Sequence, residues 1–81
     1  MEERIINIVR KVLELDNSIS NEKIKHENLF ALGMTSILAI QVIILIESEF
    51  DIVFEDDDLT MDVVETINSI QKIVNKYVVK I

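Results

Sequence analysis

The sequence predicts an all-α fold, a small four-helix bundle with three main helices, one short helix and a long first loop. Three observations favour it: apolar residues recur at helical spacing, one apolar run of about ten residues lies mid-chain, and proline is absent. Alternation of period two is not sustained anywhere, so the abundant Ile and Val do not predict strands. With 81 residues, a single domain over residues 1–81 is expected.

The first helix is predicted over residues 2–15. Its apolar positions follow the i, i+3, i+4, i+7 spacing that gives a helix one buried face. They are Ile5, Ile8, Val9, Val12 and Leu13. Charged residues between them leave the opposite face in water.

Residues 16–35 have no sustained period and are rich in Asn, Asp, Ser and Lys, which predicts a long loop. Loops of this length are usually functional or anchored by their own side chains. The expected anchors are the larger apolar residues of the segment, namely Ile24, Leu29, Phe30 and Leu32.

The central helix is predicted over residues 36–50, with Thr35 or Ser36 as its N-cap. Gly33, just before it, allows a backbone turn that other residues resist. The helix is apolar almost all round, as expected at the centre of a bundle. A chain of this size cannot bury such a helix completely, so we expect an exposed apolar strip that serves as a partner surface.

The segment 51–66 is acidic and irregular, with capping-box spacing at Asp62 and Glu65 that predicts a short helical turn over 62–65. A last helix is predicted over 67–79 with Thr66 as its N-cap. Its inward positions are expected to be Ile67, Ile70, Ile73, Val74 and Tyr77.

The composition excludes several classes of site. Without cysteine and with one histidine, the chain has no disulfide, thiolate metal site, cysteine nucleophile or multi-ligand zinc site. Its net charge of −7 argues against nucleic acid and anionic membranes as partners. The run from Ile37 to Ile46 is too short for a membrane span, and the charged start predicts no export signal. A cytoplasmic monomer is therefore expected.

The sequence offers no candidate catalytic residues. The imidazole of His26 has no recognisable triad spacing to a nucleophile. The acids over 55–58 lack the spacing of a calcium loop and predict a solvated face. No catalytic residue and no metal site are expected, and the chain is predicted not to be an enzyme.

Ser36 is the residue that the sequence singles out. Apolar residues before Gly33 can hold the loop on the core, and the hydroxyl then lies at the positive end of a long helix, where an anionic group is favoured. A hydroxyl held there without a base suits a residue that another enzyme modifies.

The chain resembles the acyl and peptidyl carrier protein family. The stretch Leu32-Gly33-Met34-Thr35-Ser36-Ile37 is similar to the attachment motif, whose serine carries 4′-phosphopantetheine through a phosphodiester. The likeness covers nearly the whole chain and implies Ser36 as the attachment residue. Further similar stretches are Asn28–Gly33 before the motif, and Glu47–Ile52, Leu59–Thr60 and Thr66–Ile70 after it.

The resemblance has departures. Thr35 stands where fatty-acid carriers usually have Asp and peptidyl carriers often have His. The helix after Ser36 is apolar, whereas the corresponding face of fatty-acid carriers is acidic. The apolar helix and the Asn28–Gly33 stretch favour a peptidyl-type or specialised carrier, and a D-alanyl carrier belongs to the same class.

The resemblance implies a discrete carrier that holds acyl, aminoacyl or peptidyl cargo as a thioester. Its partners are then a phosphopantetheinyl transferase, a cargo-loading ligase or adenylation enzyme, and a downstream synthase or transferase. The residues expected to contact them are Thr35, Ile37, Leu38, Gln41 and Ile44. The alternative is an unmodified acidic adaptor that binds a partner through the apolar strip, with Ser36 only a cap.

Overall fold

The computed structural model describes residues 1–78, which form an all-α bundle, so the predicted fold class is confirmed. The radius of gyration is 11.8 Å, as expected for a compact chain of this length. Helix α1 contacts all three other helices. The α-helices are α1 (Glu2–Val12), α2 (Asn21–His26), α3 (Ser36–Phe50) and α4 (Ile67–Val78), with 3₁₀ turns at Leu29–Leu32, Asp56–Asp58 and Met61–Val64.

The core of the described residues is apolar throughout. Ile5 and Val9 of α1, Val42 of α3 and Ile70 of α4 are completely buried at its centre. Ile8, predicted to face inward, is only partly buried, and Ile6 is buried instead. The face of α1 is therefore rotated slightly from the predicted one.

The prediction of a loop over 16–35 is wrong in part, because the segment contains α2 and a 3₁₀ turn. Ser20 caps α2, its hydroxyl accepting from the Lys23 N–H at 3.1 Å. The helix spans only six residues and buries one of them, Ile24, so apolar periodicity could not reveal it. The anchoring prediction agrees with the burial: Ile24 and Leu29 are fully buried, and Phe30 and Leu32 are partly buried.

Helix α1 ends at Val12, three residues before the predicted end. Glu14 has a left-handed backbone with φ of 50°, and the Leu15 N–H donates to the Arg10 carbonyl at 3.0 Å. This closing pattern usually places glycine at the left-handed position. Because Glu14 occupies this position instead of glycine, the sequence did not indicate where α1 ends.

Helix α4 begins as predicted. The Thr66 hydroxyl accepts from the Ser69 N–H at 3.0 Å, and the Ser69 hydroxyl accepts from the Thr66 N–H at 3.1 Å. The helix is described to Val78, and residue 79 of the predicted span lies outside the described residues. The short turn predicted over 62–65 is a 3₁₀ turn one residue earlier, which begins after Thr60.

Candidate functional site

The chain approaches Ser36 through a tightly hydrogen-bonded turn. The Asn28 side-chain oxygen accepts from the Phe30 N–H at 2.8 Å and starts the 3₁₀ turn. Gly33 ends it with φ of 108°, a left-handed conformation that glycine adopts without strain. The Met34 side chain is buried, and its N–H donates to the Leu29 carbonyl at 3.0 Å. The backbone just before α3 is therefore fixed to the core.

The N-cap of α3 is Thr35, whose hydroxyl accepts from the Leu38 N–H at 3.2 Å. Ser36 is consequently the first residue of the helix, and its side chain is exposed. The sequence predicted either Thr35 or Ser36 as the N-cap of this helix. Because the structure assigns this role to Thr35, the Ser36 hydroxyl is not used to cap the helix.

The first turn of a helix carries N–H groups without intrahelical acceptors and the positive end of the helix dipole. Ser36 Oγ lies in that turn of a fifteen-residue helix. Within residues 1–78, no imidazole or carboxylate is hydrogen-bonded to Ser36; His26 instead lies 3.3 Å from Glu22 on α2. The site can hold an anionic substituent, but the described residues do not provide a base to activate the hydroxyl.

A cleft of about 370 Å³ begins at Ser36 and runs between α3 and residues 59–64. Its walls are mostly apolar. The ionisable residue on the α3 wall is Glu47, three turns beyond Ser36, and its carboxylate accepts from the Phe54 N–H at 2.8 Å. The apolar lining comes from Ile40, Ile43 and Ile44 of α3 and from Leu59, Met61 and Val64 opposite.

The exposed part of α3 carries three isoleucines, which we call the isoleucine strip: Ile37, Ile40 and Ile44, exposed to 71%, 60% and 55%. They are spaced i, i+3 and i+7 and so share a face. Gln41 and Thr35 are exposed near them. Sequence reasoning missed Ile40, although its spacing from Ile37 was a usable signal.

Leu38, predicted to contact partners, is only partly exposed and packs against the core. A helix that is apolar all round does not indicate which of its residues face the other helices. The structure thus separates Leu38 from the isoleucine strip.

Residues 3–74 match the family described as the phosphopantetheine attachment site, which covers most of the chain. The chain belongs to this family. Family members carry a covalently attached 4′-phosphopantetheine. An exposed hydroxyl at a helix N-terminus, followed by an apolar cleft, fits a group joined through a phosphate and continued by a long arm.

Among solved structures, this chain is similar to a carrier protein from Agrobacterium tumefaciens. That protein was crystallised with an engineered Bradyrhizobium japonicum glycine:[carrier protein] ligase and AMP. The two are 29% identical with a TM-score of 0.80, and the alignment covers 93% of this chain and 99% of the other. No curated protein sequence matches the chain. Across residues 1–78, no helix has the length and apolar content needed to cross a membrane.

Proposed function

We propose that this chain is a discrete carrier protein whose 4′-phosphopantetheine arm is attached to Ser36. It holds acyl, aminoacyl or peptidyl cargo as a thioester and delivers it to partner enzymes. The arm supplies the thiol that a chain without cysteine lacks. The protein itself acts by positioning and not as an enzyme, so it binds each partner weakly and raises the local concentration of its cargo.

The observation that carries the proposal is the division of roles between two adjacent hydroxyls. Thr35 caps α3, which leaves the neighbouring Ser36 hydroxyl exposed for modification. The N–H groups and dipole of the first turn favour a phosphate ester there. Since no base in residues 1–78 is bonded to Ser36, the transferase must accept the hydroxyl proton during attachment.

The cleft beside Ser36 and the isoleucine strip have different roles in this proposal. The apolar walls around Ile43 and Val64 can shelter the arm and an apolar part of the cargo. The strip offers an exposed apolar surface to the transferase and to later partners. Thr35 and Gln41 are exposed beside this surface, whereas Leu38 is only partly exposed and packs against the core.

The A. tumefaciens relative suggests the kind of loading partner. That carrier is bound by a ligase in a complex that also contains AMP. We infer that a cargo-loading ligase or adenylation enzyme charges this chain too, before a downstream synthase or transferase takes the cargo. A cytoplasmic location stays a prediction.

The test is covalent modification at Ser36. We expect coenzyme A and a broad-specificity phosphopantetheinyl transferase to add the mass of one phosphopantetheine to the purified chain. The Ser36→Ala variant should gain nothing, while Ser48→Ala, at another exposed serine of α3, should be modified like the parent. Intact mass spectrometry measures all three.

The second candidate function is an unmodified adaptor that binds a partner through the isoleucine strip. The strip itself favours it, because three exposed isoleucines on one face suit a protein contact whether or not Ser36 is modified. No mass gain with several transferases would contradict the carrier and favour the adaptor, whereas an equal gain in Ser36→Ala would contradict Ser36 as the attachment residue.

A further inference from the structure

Three residues form a polar cluster between α4 and the acidic segment, which we call the clasp: Tyr77, Lys76 and Asp58. The Tyr77 hydroxyl donates to Asp58 and accepts from the Glu55 N–H at 2.9 Å. Lys76 Nζ lies 3.2 Å from both carboxylate oxygens of Asp58. The clasp joins residues eighteen and nineteen positions apart in the sequence.

Asp58 is the last residue before the outer wall of the cleft. Leu59, Thr60 and Met61 follow it directly and line the cleft, yet all three are exposed and add nothing to the core. The next fully packed residue is Val64, in the following 3₁₀ turn. This wall is therefore held at its two ends: by the clasp at one end, and at the other by the following 3₁₀ turn, where Val64 is buried and the Ser69 hydroxyl of α4 donates to the Val63 carbonyl at 2.7 Å.

The interactions inside the wall are local. The Leu59 N–H donates to the Asp56 carbonyl and the Val63 N–H to the Thr60 carbonyl, each at 3.1 Å. Such bonds keep the two short turns intact but do not connect them to α3 or α4. The position of the wall relative to α3 thus depends on its two anchors.

We propose that the clasp positions the outer wall of the cleft beside Ser36, so that Tyr77 and Lys76 set the fit of the cleft for what lies in it. They act through Asp58 and are positioning residues. That the cleft holds the arm or part of its cargo rests on the proposed function. The effect of the clasp on the position of the wall can be tested without an attached arm.

The electrostatics agree with this geometry. Donation to the Asp58 carboxylate raises the pKa of Tyr77 above its ordinary 10.0, and the same carboxylate raises the pKa of Lys76 above 10.5. Tyr77 also packs edge-on against the buried Phe54, with ring centroids 5.0 Å apart. Phenylalanine can keep this packing, so Tyr77→Phe removes the hydroxyl and leaves the ring.

The experiment uses the unmodified full chain. In Tyr77→Phe, we expect amide exchange at Leu59 and Val63 to accelerate at least about fivefold, because the hydroxyl's bonds to Asp58 and to the Glu55 N–H are both lost, with no change in the core of α1. The neutral apolar dye Nile red should bind the cleft more weakly, because a loose wall is less preorganised. Met61→Glu places a charge in the cleft lining and should weaken dye binding there. The dye binding that this variant loses identifies the fraction bound in the cleft.

Two lysines on α4 provide a matched pair. Lys76→Met should reproduce part of the Tyr77→Phe effect, whereas Lys72→Met removes the same charge one turn away and should have none. The proposal is overturned if exchange at Leu59 and Val63 stays at the parental rate or accelerates equally in α1. Unchanged dye binding alongside local opening also overturns it. Neither result bears on attachment at Ser36, which the mass measurement decides separately.

Discussion

At the scale of single residues, the site depends on which of two neighbouring hydroxyls caps a helix. Threonine and serine are both good N-caps, so the sequence alone leaves both open. The buried Met34 and the left-handed Gly33 fix the backbone ahead of α3, and Thr35 then reaches the Leu38 N–H. Ser36 is left one position inside the helix with its hydroxyl exposed.

Tyr77 gives a second test at this scale, because it is the sole tyrosine of a chain without tryptophan. Its raised pKa means that its contribution to stability is present below about pH 10 and is lost as pH rises through the folded-state value. In Asp58→Asn we expect tyrosinate to form at lower pH than in the parent, as followed by near-ultraviolet absorbance.

The control is Asp56→Asn, which removes the same charge two residues away at an exposed position. If both variants moved the titration of Tyr77 equally, net charge rather than the hydrogen bond to Asp58 would be its cause.

At the scale of elements, the chain leaves both α1 and α3 through a left-handed residue that is not glycine. Glu14 and Asp51 have φ of 50° and 55°, followed by N–H bonds from Leu15 to Arg10 and from Ile52 to Glu47, both at 3.0 Å. L-residues pay a steric cost in this conformation. Packing of the apolar residues that follow keeps both ends closed, since Leu15 and Ile52 lie against the core.

We expect Glu14→Gly to raise the free energy of unfolding by about 1 kcal/mol, because glycine adopts a positive φ without a Cβ clash. Lys11→Gly, at an exposed position within α1, should lower it by about 1 kcal/mol. Urea unfolding monitored by circular dichroism measures both. A loss of stability in both variants would show that the Glu14 side chain contributes more than its strained backbone costs.

At the scale of the whole molecule, ionisable residues are unevenly distributed along the chain. The eleven positions 36–46 contain no ionisable residue, whereas residues 47–65 contain nine acids and no base. The isoleucine strip therefore extends from Ser36 along α3 as a neutral surface, and Glu47 and Glu49 lie in the last turn of that helix. A partner that docks on this part of α3 meets apolar side chains.

Ile40→Glu should slow transfer of phosphopantetheine to Ser36 and later loading by a partner ligase, because burying a carboxylate in an apolar contact is costly. Val53→Glu makes the same change at an 80% exposed residue beyond the far end of α3 and should have little effect. Initial rates by intact mass measure the difference. Equal slowing in both variants would mean that added charge alone is responsible.

The sequence by itself determined the helical class, the bounds of α3, the start of α4 and the prominence of Ser36. These follow from local patterns: period, caps and an attachment motif whose residues are contiguous. Only the tertiary structure decided that Thr35 takes the cap, that Leu38 packs inward while Ile40 is exposed, and that Tyr77 reaches Asp58. The physical reason is that an apolar helix has no intrinsic inner face and a polar contact across nineteen residues has no local signal. Both are set by how the other helices pack.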